Sequence, residues 1–123
     1  MLEITENFPT IKVNFGENIT AEDFTKLTSN WLNWYLYKLK FNIEFDTFQL
    51  KSVNPKYCLY MAFFIKKIKK QNPQYLEYSK IKIYNKYIFK LAEIIFKIEK
   101  PVARVYLIFI ENNIVTKTSI INP

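Results

Sequence analysis

The stretch that decides the fold covers residues 80–110 and reads KIKIYNKYIFKLAEIIFKIEKPVARVYLIFI. Its first five residues, 80–84, alternate apolar and polar side chains, which is typical of a strand with one buried face. Asn85 then caps a helix with apolar residues at spacings of three and four, and Pro101 prevents its continuation. Residues 102–110 are almost continuously apolar, which predicts a strand covered on both faces. This order of elements indicates a parallel crossover unit of an α/β protein.

Similar patterns precede this unit. Residues 10–15 and 40–46 alternate as half-buried strands do, and the alternation of 47–53 suggests that the second strand continues through a kink. A helix is expected over about 20–38, with Thr20 as its N-cap. Its apolar face predicts a buried tryptophan and includes the following side chains: Phe24, Leu27, Trp31, Tyr35 and Leu39.

The next helix begins at Asn54 and Pro55, a capping residue followed by one suited to the first helical position. Its apolar stripe is widened by Leu59, Tyr60 and Phe63. Helices this apolar are usually buried on more than one side, and we expect the same here.

Hairpins are predicted at both ends of the chain. Leu2 and Ile4 indicate a short antiparallel edge strand, and a turn at 111–113 leads into an alternating strand at 114–121. The predicted fold class is therefore α/β. It consists of a mixed, mainly parallel sheet of four to six strands, about three helices and a C-terminal β-hairpin, in one domain over residues 1–123.

The positive net charge of the chain has two interpretations. The net charge is +7, yet Arg104 is the single arginine among 18 basic residues. Arginine is the side chain best suited to bidentate phosphate and guanine contacts, so its scarcity disfavours sequence-specific nucleic-acid binding. The chain is also rich in Lys, Ile, Asn, Phe and Tyr, whose codons are AT-rich. Base composition is thus an alternative origin of the positive charge.

The sequence lacks the residues that several kinds of catalytic and metal-binding site require. There is no histidine, one cysteine and one glycine, which leaves no histidine-based couple, no thiolate cluster and no glycine-rich phosphate loop. Cys58 lies in an apolar helix face and is interpreted as a core residue. The carboxylates Glu44, Asp46, Glu93 and Glu99 are interpreted as solvent-facing. We expect no enzyme activity, no cofactor and no metal.

The location expected from these features is the cytoplasm. The first ten residues carry two Glu and no apolar run, unlike a signal peptide. No apolar run approaches the length that a membrane span needs, so no membrane contact is expected. A single cysteine also argues against a disulfide-stabilised secreted scaffold.

Residues 41–70, FNIEFDTFQLKSVNPKYCLYMAFFIKKIKK, resemble the strand–loop–helix unit of the STAS domain, the sulfate-transporter and anti-sigma-factor-antagonist fold. In that family an acidic residue or Asn ends the strand, and a phosphorylatable Ser or Thr starts the helix. Asp46 is in the first position here, but the helix start reads Asn54-Pro55-Lys56. The element order over about 10–110 is similar too. The resemblance implies a regulatory protein-binding domain that has lost its phosphorylation switch.

Two functions follow as hypotheses. The first is a non-catalytic interaction or regulatory domain that binds another protein through Ser52, Asn54, Lys56 and, if its side chain is exposed, Tyr57. The second is a basic accessory or structural protein that binds nucleic acid or an acidic protein surface. Homo-oligomerisation through the edge of 102–110 or 114–121 also remains open. The lysines of the second hypothesis are Lys66, Lys67, Lys69, Lys70, Lys80, Lys82 and Lys86.

Overall fold

The computed structural model describes all 123 residues, which form one six-stranded sheet and three α-helices. Each α-helix connects two neighbouring strands of the sheet. In chain order the elements are β1 (Leu2–Asn7), β2 (Thr10–Phe15), α1 (Ala21–Trp34), β3 (Phe41–Asp46), α2 (Lys56–Ile68), β4 (Leu76–Ile83), α3 (Lys86–Ile98), β5 (Arg104–Glu111) and β6 (Ile114–Ile121), with a 3₁₀ turn at Tyr35–Tyr37.

The strands lie in the sheet in the order of the sequence, from β1 to β6. The three inner pairings, from β2 to β5, are parallel, and the two outer pairings are antiparallel. The α/β class, the helices and the C-terminal hairpin are confirmed. The sheet as a whole is mixed rather than mainly parallel, because a hairpin closes each side.

All three helices cover the same face of the sheet. Right-handed crossovers that always advance in one direction place every helix on one side. Alternate strand residues such as Val13, Ile43 and Leu107 are fully buried under the helices, whereas Lys12 and Tyr106 point to the opposite face and are exposed or half-buried. The prediction that residues 102–110 are covered on both faces is therefore wrong.

The first helix confirms its predicted start and corrects its predicted end. The Thr20 hydroxyl accepts a hydrogen bond from the Asp23 amide (3.1 Å), and the Asp23 carboxylate accepts one from the Thr20 amide (3.0 Å). Trp31 is buried as predicted. However, α1 ends at Trp34, and Lys38 adopts a left-handed conformation (φ 55°) that turns the chain. Leu39 consequently leaves the apolar face and is exposed.

Residues 47–53 form a loop and do not continue β3. The Phe48 amide donates to the Asp46 carboxylate (2.9 Å), and the Leu50 amide donates to the Thr47 carbonyl (3.0 Å), so the chain turns immediately after the strand. Leu50 is buried and Phe48 is exposed. The predicted kinked extension is thus replaced by a turn that is also tied to distant segments, since the Thr47 hydroxyl donates to the Lys82 carbonyl (2.7 Å) and the Lys51 amide to the Glu17 carbonyl (2.9 Å).

The buried side chains form two clusters. One lies between α1 and β1–β3 and includes Trp31 and Phe45. The other lies between α3 and β4–β5 and includes Cys58 and Leu107. Helix α2 contributes to both clusters, and Cys58 is confirmed as a buried core residue.

Candidate partner-binding surfaces

The predicted helix-start surface lies at the edge of the sheet where β3 ends. The Asn54 side chain accepts a hydrogen bond from the Lys56 amide (3.1 Å) just before α2, but the N-cap residue is Pro55 and not Asn54 as expected. Pro55 has a helical conformation, and α2 begins at Lys56. Ser52, Asn54 and Lys56 are all exposed and lie close together along the chain. This part of the predicted surface is open to a partner.

Tyr57 does not belong to that surface. Only 8% of the residue is exposed, and its ring packs against Phe24 (centroids 5.6 Å apart) and Tyr60 (5.7 Å). The condition under which Tyr57 would serve as an anchor is therefore not met. The exposed aromatic side chain at this edge is Phe48, whose ring lies edge-on to Tyr84 (5.1 Å).

The seven lysines of the polyanion hypothesis lie in three separate places. Those of 66–70 are at or just beyond the C-terminal end of α2, and Lys86 starts α3 at the opposite edge of the sheet. Lys80 and Lys82 lie on the uncovered face of the sheet, in register with Glu44 and Asp46 of β3. The carboxylates of Glu44 and Asp46 on the neighbouring strand offset the positive charges of Lys80 and Lys82. The seven residues therefore do not form one continuous basic surface.

The outward faces of α2 and α3 carry large apolar side chains that the sequence reading placed in the core. Leu59, Tyr60 and Phe63 of α2 are 43%, 44% and 60% exposed, which corrects the expectation that α2 is buried on more than one side. Because helices cover only one face of the sheet, nothing lies above α2. On α3, Ile94 and Ile98 are also exposed.

Leu59 and Phe63 of α2 and Ile94 and Ile98 of α3 lie on the outward sides of two neighbouring helices, whereas Tyr60 lies towards Phe24 of α1 (ring centroids 6.1 Å apart). The two helices are in direct contact, and the buried thiol of Cys58 lies 3.8 Å from the Leu91 carbonyl oxygen. At 100° per residue, Tyr87, Ile94 and Ile98 occupy one stripe of α3, next to Leu91 and on the side of α2. We call the resulting surface the α2–α3 face. It consists of Leu59, Phe63, Tyr87, Ile94 and Ile98.

Positive charge surrounds this face. The sequence of α2 contains no acidic residue, and α3 contains one, Glu93. Exposed lysines occupy the outward positions of both helices, and Lys56 lies at the start of α2. The flanking cations are Lys56, Lys66, Lys67, Lys70, Lys86, Lys90 and Lys97.

The structure shows little that resembles a reactive centre. No group of three or more Cys, Asp and Glu side chains is placed to hold a metal ion. Burial raises the pKa of the Cys58 thiol, which keeps it in the unreactive protonated form. The pKa of Tyr84 is raised by burial and by the neighbouring Asp46 carboxylate. None of the helices combines the length and the apolarity that a bilayer crossing requires.

Comparison with known proteins finds no family model, no curated protein and no solved structure that matches this chain.

Proposed function

We propose that this protein is a non-catalytic interaction domain that binds an acidic partner protein on its α2–α3 face. The observation that carries the proposal is the set of exposed apolar side chains within a border of lysines. Phe63 is 60% exposed, and Ile98 is 49% exposed. A contiguous apolar patch with a polar rim is a common feature of protein-binding surfaces.

The charge border favours one kind of partner. An amphipathic helix with acidic residues beside its apolar stripe would place leucine-like side chains on Phe63 and Ile94. Its carboxylates would then lie near Lys66, Lys67 and Lys90. Opposite potentials accelerate association and exclude basic competitors, while the apolar contacts supply most of the affinity. A partner helix in a groove between two helices is a recurrent mode of recognition.

A STAS-like regulatory role is part of the same proposal. The strand that ends at Asp46, the loop after it and the start of α2 support the resemblance. With Asn54 and Pro55 at the position of the family's phosphorylated residue, the domain would bind its partner without a phosphorylation switch. Lys56 adjoins both the helix-start surface and the α2–α3 face, so one partner would be able to contact both.

The experiment uses a designed peptide of about five helical turns, with leucine on one face and glutamate on the other, and a scrambled version of the same composition. We expect the helical peptide to bind and the double variant Phe63→Ser/Ile94→Ser to bind at least about tenfold more weakly, as for loss of a central apolar anchor. The measurement is fluorescence anisotropy of the labelled peptide.

Phe48→Ser is the matched control, because Phe48 is 69% exposed but lies in the loop between β3 and α2, where its ring packs against Tyr84. It should leave peptide affinity unchanged. Equal binding of the scrambled peptide, or equal affinity of the Phe63→Ser/Ile94→Ser variant, would contradict the proposal. Binding to anionic vesicles in the absence of any peptide binding would show instead that the face is a membrane-surface site.

A second candidate function is polyanion binding at a surface that shares Lys66, Lys67, Lys70 and Lys97 with the border of the α2–α3 face. Basic residues from three segments precede β3, β4 and β5 and thus gather where these adjacent parallel strands begin. The Tyr35 hydroxyl donates to the Gln74 side chain, whose amide donates to the Ile68 carbonyl (3.1 Å), which ties these segments together. We call this set the basic edge. Its members are Lys38, Lys40, Lys66, Lys67, Lys69, Lys70, Lys97, Lys100 and Arg104.

A further inference from the structure

A cavity of about 150 Å³, partly open to solvent, lies between the helix layer and the sheet. It lies where the two buried clusters meet, so that α1, α2, α3 and the central strands all contribute to its wall. Side chains that line it from these elements include Leu27, Trp31, Ile65, Leu91, Ile81 and Val105. Protein interiors are close-packed, and a void of this size is unusual in a chain of this length.

The wall is almost entirely apolar, and its polar members have different roles. Of the 26 lining residues, 22 are hydrophobic. The Thr47 hydroxyl already donates to the Lys82 carbonyl (2.7 Å), and Asp23 is held by the cap of α1. Ser79 is different. It lies on the inward face of β4 between Ile43 and Val105, is 5% exposed, and its hydroxyl takes part in none of the side-chain hydrogen bonds of the structure.

An unpaired hydroxyl in an apolar cavity is a hydrogen-bonding group without a partner. The Ser79 oxygen is not sealed from solvent, because the side-chain atoms buried without a partner are Trp31 Nε1 and Asn42 Oδ1, so a ligand atom would pair with it in place of water. Apolar pockets of this volume take up molecules the size of benzene. The cavity wall also includes Ile19, Val53 and Tyr57, at the edge where parallel strands end and where α/β sheets usually bind ligands.

We propose that this cavity is a binding site for a small, uncharged and mainly apolar molecule with one hydrogen-bonding group, which pairs with Ser79. A ligand of about six to eight non-hydrogen atoms matches the volume. The site lies beneath the helices rather than on their outward face. The inference is therefore independent of the partner bound by the α2–α3 face.

The test measures binding of three probes to the full chain by calorimetry and thermal unfolding. We expect benzene and phenol to bind and to raise Tm, because a ligand of the folded state stabilises it by mass action. Benzoate should not bind, because the wall offers no cation for its charge. Ser79→Ala should retain benzene affinity and weaken phenol binding by about fivefold, the value of one hydrogen bond.

Substitutions at two buried alanines distinguish the effect of filling the cavity from the effect of overpacking the core. Ala92 lines the cavity, whereas Ala62 is just as buried and does not. Ala92→Leu should fill the cavity, abolish benzene binding and leave Tm unchanged or raised. Ala62→Leu should lower Tm, because extra atoms in a packed region force strain.

Xenon-129 NMR of the unmodified chain tests the cavity without any substitution, so the result does not depend on whether a variant folds. A bound-xenon shift that benzene displaces would support the proposal. The proposal would be overturned if neither xenon nor benzene bound. It would also fail if phenol bound equally well to Ser79→Ala, or if Ala92→Leu unfolded the protein as Ala62→Leu does.

Discussion

At the scale of single residues, Cys58 shows how burial removes a reactive group from use. The thiol is buried, it lies beside the Leu91 carbonyl, and its pKa is raised by burial. Thiolate is the nucleophilic form, so the folded protein should react slowly. We expect iodoacetamide to modify Cys58 at least about a hundredfold faster in urea than in buffer, as for a thiol that reacts only on unfolding. Mass spectrometry of timed samples measures both rates, and equal rates would contradict the buried position.

Asp23 makes the stability of α1 depend on pH. Burial alone would raise the pKa of Asp23, but hydrogen bonds from the backbone and side chain of Thr20 and the positive charge of the Met1 ammonium group (3.6 Å) together outweigh it, so the pKa is below its ordinary value. A carboxyl group with a lowered pKa stabilises the fold above its unfolded pKa, near 3.9, and this contribution is lost as pH falls through the folded value.

Asp23→Asn should therefore lower the free energy of unfolding by about 1 kcal/mol at pH 7, the usual value of a helix cap. The difference from the unmodified protein should shrink as the pH is lowered from 5 towards 2. Urea unfolding at several pH values measures it. Glu22→Gln is the control, since Glu22 is an exposed neighbour in the same first turn. A difference that did not change with pH would exclude the charge as its cause.

At the scale of elements, the sequence predicts where strands and helices lie better than what covers them. The alternation of 10–15 and 40–46 and the caps Thr20 and Asn85 depend on neighbouring residues only, and each appears in the structure. Element ends that depend on a single backbone turn are less predictable. The turn at Lys38 is set by a left-handed residue that is not glycine.

Which faces of a helix or strand are covered by other elements depends on the order of the strands in the sheet. The local periodicity of the sequence carries no information about that order. The apolar runs of α2 and β5 fit a sheet with helices on both faces equally well. In a sheet whose strands follow chain order, the helices share one face, so Phe63 on α2 and Ile108 on β5 meet no further layer. The helix-start residues Ser52, Asn54 and Lys56 were predictable because loops lie at the surface. The α2–α3 face and the cavity were not, since both arise only when distant segments pack.

The edge strand β6 keeps one part of the predicted oligomerisation open, whereas the alternative through 102–110 is wrong, because β5 pairs with β4 on one side and β6 on the other. Seven of the eight residues of the strand are polar or exposed, and its outer edge has no neighbour in the sheet. Long exposed edges of this kind pair readily with other strands. Homo-oligomerisation through this edge therefore stays a prediction, which sedimentation over a range of concentrations would examine.

At the scale of the whole molecule, the net charge of +7 is unevenly distributed. The basic edge collects cations at the end of the sheet where the helices finish, while the opposite end carries both signs, with Glu17, Glu22 and Asp23 beside Lys51, Lys56 and Lys86. Lysines near helix C-termini also stabilise the helices through their dipoles, which is a structural reason for part of this arrangement.

If nucleic acid is the partner, the basic edge should carry the affinity. We expect Lys66→Gln/Lys67→Gln/Lys70→Gln to weaken binding to a 20-base-pair duplex and to lower the slope of log K against log salt by about 1 per lysine. Lys80→Gln/Lys82→Gln, on the uncovered sheet face, is the matched control and should change little. Equal losses for both variants would indicate a non-specific effect of net charge, and no binding at 50 mM salt would exclude this function.

The order of the strands also bears on how the chain acquires its structure during synthesis. Each strand pairs with the one that was made just before it, and no strand has to wait for a segment that leaves the ribosome later. The two hairpins close short loops, whereas each parallel pairing, such as that of Ile43 with Ser79, has to wait until the helix between its strands is made. The nascent chain would therefore grow its sheet one strand–helix unit at a time, with the newest edge completed last by β6.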